Sequence, residues 1–333
     1  MKEIYSEIFL IEEKRRFGPS ENIYVLAGGD GLIFDAGYGN KSSVKQFLKS
    51  FKHIEEKFKQ QNLNLKITRI TVSHGHSDHF SGLTSISKKL DLRVLLTERI
   101  ANIISDKSGF NASFQADEYE DYFKIRRKFV RKVWNFIRNK GERMVYKRIF
   151  GLSYLKNPDE IIEENSEIII NGEPWRFFSS PGHSPDHISL YNKEKGILLA
   201  GDNVLNMRST WLGPPESNMT DYLNTIQNYQ QLPNLKLILP AHGDIIKKPQ
   251  ETLNAILVRM KEREELILHA INTHSQKGIS PKSIMKMIYP KRKGIIHMIG
   301  RGWVVITLKM LETQNMVKRK VKKRKVLFFP VRK

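Results

Sequence analysis

A short run of metal-ligand side chains, Ser73-His74-Gly75-His76-Ser77-Asp78-His79, limits the folds that this chain can adopt. The run lies between an apolar, strand-like segment and a helical pattern. Residues two apart in an extended segment point the same way, so His74 and His76 can bind one cation together. Asp78 and His79, at the start of the helix, can face a second cation. Four such side chains within six residues indicate a metal site on a strand-loop-helix scaffold.

Three more candidate ligands each follow a strand-like run. His183 lies in SSPGHSPDH, Asp202 follows ILLAG and His242 follows LILPA. Strand ends on one edge of a sheet converge in space, so these side chains can close around the loop at 74–79. Because the chain has no cysteine, a tight metal site must use histidine and carboxylate. The sequence therefore predicts one site built from seven ligands.

The spacing of apolar residues predicts an α/β fold with sheets covered by helices. A glycine-rich turn at 28–31 predicts a β-hairpin across 23–35, and helical patterns occupy 43–60 and 80–90. The other predicted strands lie at 67–72, 93–96, 167–170, 187–191, 197–200 and 236–239.

A basic, aromatic segment interrupts this alternation of strands and helices. Aromatic and apolar residues recur at roughly helical spacing across 117–150, with Lys and Arg between them, which predicts a helical insertion over about 101–160. Two interpretations stay open. The insertion either covers part of the core or forms a lid that contacts an anionic substrate.

The composition changes after Pro249, so we expect a first domain over 1–253 and a second, basic domain over 254–333. A long helix over about 254–273 leads to Ser280-Pro281, a good cap and first-turn pair. A short helix, a helix through 304–311 and a hairpin over 317–331 follow. Helix, helix, helix and hairpin is the order of a winged helix, although Gly300 and Gly302 weaken the third helix.

The net charge of +21 is unevenly distributed. Residues 256–333 hold 20 Lys+Arg against 4 Asp+Glu, and residues 124–148 hold 11 against 1, whereas the rest holds 25 against 30. The basic segments suit either a solvated surface or an anionic partner. No apolar run approaches the roughly 20 residues of a membrane span, and the amino terminus lacks a signal-like cleavage site. We therefore expect a soluble, cytoplasmic protein without a membrane partner.

The motifs HxHxDH at 74–79, PGHSPDH at 181–187, GD at 201–202 and PAHG at 240–243 resemble the metal-binding motifs of the metallo-β-lactamase superfamily, in its glyoxalase II-like form. The resemblance covers about residues 5–250 and implies an αββα sandwich with the metals at one sheet edge. More loosely, the region from REELIL at 263–268 is similar to the winged-helix extension of the lactamase-related, endoribonuclease-like branch.

Carried over residue by residue, the resemblance assigns His74, His76 and His183 to one metal ion. It assigns Asp78, His79 and His242 to a second ion, with Asp202 between the two. These ligands suit two divalent cations, with Zn²⁺ as the first choice and Mn²⁺ or Fe as alternatives. Such a pair shares a water, lowers its pKa and generates a bridging hydroxide for hydrolysis.

Two further residues have predicted supporting roles. His187, four residues beyond His183, either hydrogen-bonds a ligand or substrate or has a structural role at the start of a strand. Asp35, in FDAG, resembles the structural aspartate of the superfamily, and we expect it to orient a ligand or the backbone. Asp78 and Asp202 are the expected catalytic carboxylates.

Differences from well-known branches of the superfamily narrow the choice of substrate class. The absence of Cys and the presence of Asp202 argue against an antibiotic-hydrolysing lactamase, and Leu205 replaces the tyrosine of many lactonases. The expected activity is hydrolysis of an ester, thioester or phosphodiester, with a small or anionic substrate. The alternative is a nuclease or nucleic-acid-binding protein that uses the basic KRKVKKRK at 318–325. A homodimer is a further expected assembly.

Overall fold

The computed structural model describes residues 1–15, 20–113, 122, 146–206, 210–213, 216–290, 295–322 and 325–331. Its first sheet contains, in spatial order, β1 (Lys2–Tyr5), β2 (Ile8–Glu13), β3 (Glu21–Leu26), β4 (Gly31–Phe34), β5 (Ile67–Thr71), β6 (Arg93–Leu96) and β7 (Glu160–Ile161). Neighbours are antiparallel from β1 to β4 and parallel from β4 to β7.

The second sheet has five strands in the described part of the chain. Their bounds are β8 (Glu167–Ile170), β9 (Glu173–Ser179), β10 (Ile188–Asn192), β11 (Ile197–Gly201) and β12 (Leu237–Pro240). The spatial order is β12-β11-β10-β9-β8, and only the β11–β12 pair among these is parallel. A third, two-stranded sheet pairs β13 (Val317–Lys322) with β14 (Lys325–Pro330).

The helices lie mainly between and after these strands. Their bounds are α1 (Lys41–Gln60), α2 (Ser77–Phe80), α3 (Leu83–Leu90), α4 (Glu98–Ile104), α5 (Lys107–Ser113), α6 (Met219–Gln230), α7 (Pro249–Thr273), α8 (Pro281–Ile288) and α9 (Ile295–Thr313). A π-helical turn covers Tyr146–Phe150. In the described part of the chain, no helix combines the length and the apolar character needed to cross a membrane.

Side chains that alternate along the strands of the second sheet belong to two different hydrophobic clusters. Leu190 and Leu199 lie in the cluster shared with the first sheet, whereas Leu198 and Ala200 lie in a cluster on the opposite face. Successive strand residues point to opposite faces, so one sheet can serve two cores. Burial of each large aliphatic side chain contributes about 1.5–3 kcal/mol. The result is a layered α/β fold, as the sequence predicts.

Helix α1 packs against the first sheet, and its sequence explains why. The side chain of Asn40 caps its first turn by accepting a hydrogen bond from the backbone N–H of Ser43. Its buried side chains recur three and four residues apart, at Val44, Phe47, Phe51, Ile54 and Phe58. That spacing places them on one face of the helix, which packs into the core.

The carboxy-terminal elements follow the predicted order of three helices and a hairpin. Ser280 caps α8 and Pro281 occupies its first turn, as predicted. Helix α7 begins at Pro249 and runs through the predicted boundary at 253–254, and α9 runs through Gly300 and Gly302. These elements share a hydrophobic cluster with the outer face of the second sheet. The winged-helix assignment and the domain boundary remain predictions.

Apart from Tyr122, only the two ends of the predicted helical insertion lie among the described residues. Helices α4 and α5 occupy 98–113, but residues 114–121 and 123–145, which carry most of the basic and aromatic pattern, lie outside the described residues. The side chain of Tyr122 is buried, and its hydroxyl donates a hydrogen bond to Glu312 at 3.0 Å. The choice between a core-covering segment and a lid therefore stays open.

Candidate metal centre

The structure brings all seven predicted ligands to one edge of the two sheets. His74 and His76 lie in the loop after β5, and Asp78 and His79 lie in α2. The other three follow the ends of β9, β11 and β12, at His183, Asp202 and His242. We call His74, His76 and His183 the first cluster, and Asp78, His79 and His242 the second cluster.

The first cluster brings the ring nitrogens of three histidines close to the Asp202 carboxylate. One ligand atom from each of its three histidines and from Asp202 lies within 4.8 Å of the others. Nε2 of His183 lies 3.0 Å from Nδ1 of His76 and 3.5 Å from Oδ2 of Asp202. This arrangement can hold one cation with three nitrogens and one oxygen.

The second cluster faces both oxygens of the same carboxylate. Oδ1 of Asp202 lies 3.3 Å from Nε2 of His242, and Oδ2 lies 3.6 Å from Nε2 of His79. Asp78 Oδ2 lies 3.7 Å from Nε2 of His242. Asp202 therefore lies between the clusters, where a carboxylate can be shared by two cations.

Several atoms at the centre have no hydrogen-bond partner in the described part of the chain. Among them are Nε2 of His74, Nε2 of His79 and Oδ1 of Asp202, all buried, and the same holds for both carboxylate oxygens of Glu21. A buried polar atom left unpaired costs about 1–3 kcal/mol, so such atoms need a ligand. Imidazole nitrogens and carboxylate oxygens are suitable ligands for Zn²⁺, Mn²⁺ or Fe. The residues thus fit divalent cations.

A segment after β11 supports the first cluster from behind. His183 Nδ1 donates to the backbone carbonyl of Trp211 at 2.7 Å, and Ser217 Oγ donates to the carbonyl of His183 at 2.7 Å. Thr210 Oγ1 donates to the carbonyl of Asp202 at 2.7 Å. Because Nδ1 of His183 is the donor, its Nε2 keeps a lone pair for a cation.

Strand β3 supports the second cluster in a different way. Asn22 donates from its backbone to the carbonyl of Ala241 and from its side chain to the carbonyls of Pro240 and Gly243, at 2.7, 2.9 and 2.8 Å. The Tyr24 hydroxyl also donates to the Pro240 carbonyl, at 2.7 Å. These contacts fix the loop that carries the candidate ligand after β12.

Two glutamates at the centre were not predicted. Glu216 accepts a hydrogen bond from Nε2 of His76 at 2.5 Å, and Glu21 lies within 4.8 Å of the ligand atoms of the second cluster. Glu21 carries one signal in the sequence, because it is a charged residue two positions before the apolar run at 23–26. Glu216 carries none, because it lies 140 residues from His76.

His187 contacts the backbone of a ligand. Its Nε2 accepts a hydrogen bond from the backbone N–H of Asp202 at 3.1 Å, and its Nδ1 lies 2.8 Å from Oγ of Ser180. The side chain is fully buried, and burial holds its pKa well below the ordinary value. A neutral ring suits this acceptor role, which places His187 behind Asp202.

Asp35 also lies behind the ligands. Its Oδ1 accepts a hydrogen bond from the backbone N–H of Ser73 at 2.7 Å, and its Oδ2 lies 3.5 Å from Nδ1 of His79. The residue has a φ of 67°, a left-handed conformation that aspartate tolerates better than most residues. These contacts orient the start of the ligand loop, in line with the expected role.

The clusters differ in their electrostatics. Burial lowers the pKa of His74 well below its ordinary value and lowers the pKa of His183 to about 4. Burial would also lower the pKa of His242, but Asp202 and Glu21 outweigh it and raise that pKa to about 9. Burial raises the pKa of Glu21 to about 8. Two histidines of the first cluster are therefore neutral near pH 7, whereas the acidic side chains around the second cluster raise the pKa of His242.

Comparisons with known proteins agree with this geometry. The chain is 22% identical over 291 residues to the "Beta-lactamase-like protein 2 homolog" of Caenorhabditis elegans, covering 87% of this chain and 78% of that protein. It is 22% identical over 252 residues to the "Atrochrysone carboxyl ACP thioesterase" of Aspergillus fumigatus, covering 75% and 59%. A solved β-lactamase domain protein from Burkholderia ambifaria has the same fold, with a TM-score of 0.76, 19% identity and coverage of 99% and 93%.

A sequence model of the metallo-beta-lactamase superfamily matches residues 17–242, which contain all seven predicted ligands. The match, the fold and the gathered side chains agree with one another. The chain therefore belongs to the metallo-beta-lactamase superfamily and is a metal-dependent hydrolase.

Proposed function

We propose that the protein hydrolyses an ester, thioester or phosphodiester with two divalent cations, one at each cluster. The position of Asp202 carries this proposal, because its two carboxylate oxygens face histidines of both clusters at 3.3–3.6 Å. When bound, two cations supply a water of lowered pKa as the nucleophile and polarise the attacked oxygen. Zn²⁺ is the cation that we propose first, with Mn²⁺ and Fe as alternatives.

The chain's own residues define how a substrate would approach. His74 and His79 are fully buried, whereas the side chains of His76, Asp78 and His242 keep exposed fractions of 17%, 23% and 15%. The centre is therefore open on the side of these three residues. The scissile group would enter there, and the buried ligands would fix the cations from the opposite side.

A thioester is the first substrate class to test. One relative is named a carboxyl ACP thioesterase, and its similarity covers 75% of this chain. Ester and phosphodiester hydrolysis remain within the proposal, because the predicted cations would polarise a carbonyl or a phosphoryl oxygen alike. The relative that is named a β-lactamase-like protein 2 homolog does not narrow the class.

The test is a substrate screen on the full chain. Acyl thioesters of N-acetylcysteamine, p-nitrophenyl esters and bis-p-nitrophenyl phosphate are offered to the Zn²⁺-loaded protein and to the protein after chelation. We expect turnover of at least one class, its loss on chelation and its recovery on adding Zn²⁺. Turnover that survives both chelation and Asp202→Ala would contradict the proposal.

A second candidate function rests on the exposed face of the terminal hairpin. Every residue of β13 after Val317 is exposed, and Lys318, Lys320 and Lys322 lie along one face of the strand. Arg319 points to the other face, where it pairs with Glu312 at 3.3 Å. A row of exposed cations attracts phosphates, and binding would weaken steeply as salt increases. The nucleic-acid alternative predicts salt-sensitive binding to single-stranded RNA or DNA that is lost when these residues are neutralised. Binding that is indifferent to the neutralisation would contradict it.

Assembly and location complete the proposal. We propose a cytoplasmic homodimer. Size-exclusion chromatography with light scattering measures the mass of the assembly. A mass near 38.8 kDa would indicate a monomer and contradict the dimer. Fractionation of the source cells tests the location.

A further inference from the structure

Two glutamates stand behind the predicted ligands, one at each cluster. Neither is among the residues that resemble the motifs of the superfamily, and both are largely or fully buried, with side chains that are 9% exposed at Glu216 and 0% exposed at Glu21. Burying a carboxylate is costly unless charged or polar partners compensate. The partners of these two carboxylates are imidazoles that the proposed function assigns to different cations.

Glu216 contacts one ring of the first cluster. Its Oε2 lies 2.5 Å from Nε2 of His76, while Nδ1 of the same ring lies 3.0 Å from Nε2 of His183. The ring thus donates to the carboxylate through Nε2 and directs Nδ1 toward its neighbouring ligand. A hydrogen bond to the far nitrogen selects the tautomer and fixes the ring plane of a ligating histidine.

Glu21 contacts two rings of the second cluster. Its Oε1 lies 3.1 Å from Nδ1 of His79, and its Oε2 lies 3.2 Å from Nδ1 of His242. The other nitrogens of these rings face Asp202, at 3.6 and 3.3 Å. One carboxylate therefore faces both histidines of the second cluster and favours the tautomer that leaves Nε2 of His79 free for a cation. The Ser20 carbonyl, 2.6 Å from Nδ1 of His242, favours the same tautomer of that ring, beside which the Glu21 carboxylate adds its negative charge.

The direction of these contacts distinguishes support from ligation. Glu21 faces the Nδ1 atoms, whereas Asp78 and Asp202 face the Nε2 atoms of the second cluster. A direct ligand would share the Nε2 side. Glu21 is therefore in the position of a group that orients the rings from behind.

We propose that Glu216 and Glu21 are positioning residues, each acting on a different cation: Glu216 on the cation of the first cluster and Glu21 on that of the second. The inference rests on the proposed two-cation function. If the inference holds, the affinity for either cation can be lowered without changing the affinity for the other, although both clusters share Asp202.

The test measures cation binding rather than turnover. Full-length chain is stripped by chelation and titrated with Zn²⁺ against a chromophoric competing chelator, which yields two binding constants. We expect Glu216→Gln and Glu21→Gln each to weaken one constant by about 10- to 100-fold and to leave the other within about twofold. Glu251→Gln, at a side chain that is 69% exposed, is the matched control and should change neither.

A double-mutant cycle assigns each effect to a cluster. His76→Ala should abolish the first cation, so Glu216→Gln added to it should have no further effect, whereas Glu21→Gln should weaken the remaining cation. His79→Ala should reverse this pattern. If Glu21→Gln does not fold, as judged by circular dichroism, Glu21→Asp replaces it, because the shorter side chain keeps the charge but cannot span both rings.

The outcomes separate the two ideas. Two Zn²⁺ ions per wild-type chain with effects of both glutamates on the same ion, or on neither, would overturn the positioning roles and leave the proposed function intact. A wild-type chain that binds no Zn²⁺ would contradict both.

Discussion

The two clusters of the metal centre are built on different kinds of support. The second cluster is fixed by a strand, because Asn22 and Tyr24 of β3 bond the loop that carries His242. The first cluster is fixed by an irregular segment, because the Trp211 carbonyl and the Ser217 side chain bond His183. A strand in the centre of a sheet is held by its neighbours on both sides, whereas an irregular segment depends on what packs against it.

The segment behind the first cluster packs against the carboxy-terminal part of the chain. Leu212 is fully buried in the same hydrophobic cluster as Trp303 of α9. A Cβ atom placed on Gly302 would lie 2.8 Å from the carbonyl oxygen of Leu212 and 3.1 Å from Cα of Gly213. The glycine thus permits a close approach of helix and segment, and it connects α9 to the first cluster.

Asp202→Ala should have the largest effect, because it removes the only carboxylate that faces histidines of both clusters in the described part of the chain. Two cations supply several kcal/mol of transition-state stabilisation, so turnover should fall by about 10³-fold or more. The measurement is turnover on the substrate found by the screen, with Glu251→Gln as the control. Turnover within tenfold of wild type would show that the two clusters do not depend on Asp202.

Asn22→Ala should selectively weaken Zn²⁺ binding at the second cluster. The substitution removes two side-chain hydrogen bonds and leaves the Gly243 carbonyl without this donor, whereas the Pro240 carbonyl keeps the Tyr24 hydroxyl. We expect a cost of about 1–3 kcal/mol of stability and a looser His242 loop. We expect the Zn²⁺ of the second cluster to bind about tenfold more weakly and the other to be unchanged. Zn²⁺ titration and thermal unfolding measure the two effects. Equal weakening of both ions would break the distinction between the supports.

Gly302→Ala should weaken the first cluster to a smaller extent. Helix propensity alone predicts a gain of about 1 kcal/mol, because alanine is the better helix former. The close approach to the Leu212 carbonyl predicts the opposite, with a displaced segment and up to about tenfold weaker binding of the first Zn²⁺. The sign of the change in thermal stability therefore decides between the two effects. A more stable variant with unchanged Zn²⁺ binding would show that α9 does not support the cluster.

Neutralising the terminal hairpin should have the smallest effect on the centre. Replacement of Lys318, Lys320 and Lys322 by Gln removes exposed charges, and exposed charges away from a site change stability by at most about 0.5 kcal/mol. We expect both Zn²⁺ constants to stay within about twofold of wild type. A larger change would extend the supporting region from α9 to the hairpin.

The sequence was sufficient to predict that the candidate ligands gather at one place, because they follow strand ends in short motifs. The loop at 74–79 carries four of them, and β9, β11 and β12 each precede one. Much of the strand and helix order was predictable for the same reason, since the apolar periodicities are strong, but β1, β2, β7 and α6 were not among the predicted elements. These signals are local, and each can be recognised in fewer than ten consecutive residues.

The support of the ligands could not be predicted, because it depends on contacts between distant parts of the chain. Glu216 and His76 are separated by 140 residues, and Asn22 and Gly243 by 221. Gly302 was expected only to weaken a helix, whereas its absent side chain allows the close approach of Leu212. Such roles follow from tertiary packing, which local patterns do not encode.

The most direct test of the account is the Zn²⁺ content of the full-length chain. The protein is equilibrated with buffered Zn²⁺, separated from free metal, and analysed for metal and for protein concentration. We expect two ions per wild-type chain and retention of at most one when either His76 or His79 is replaced by alanine. A wild-type chain that retains no ion, or only one at saturation, would contradict the two-cluster centre.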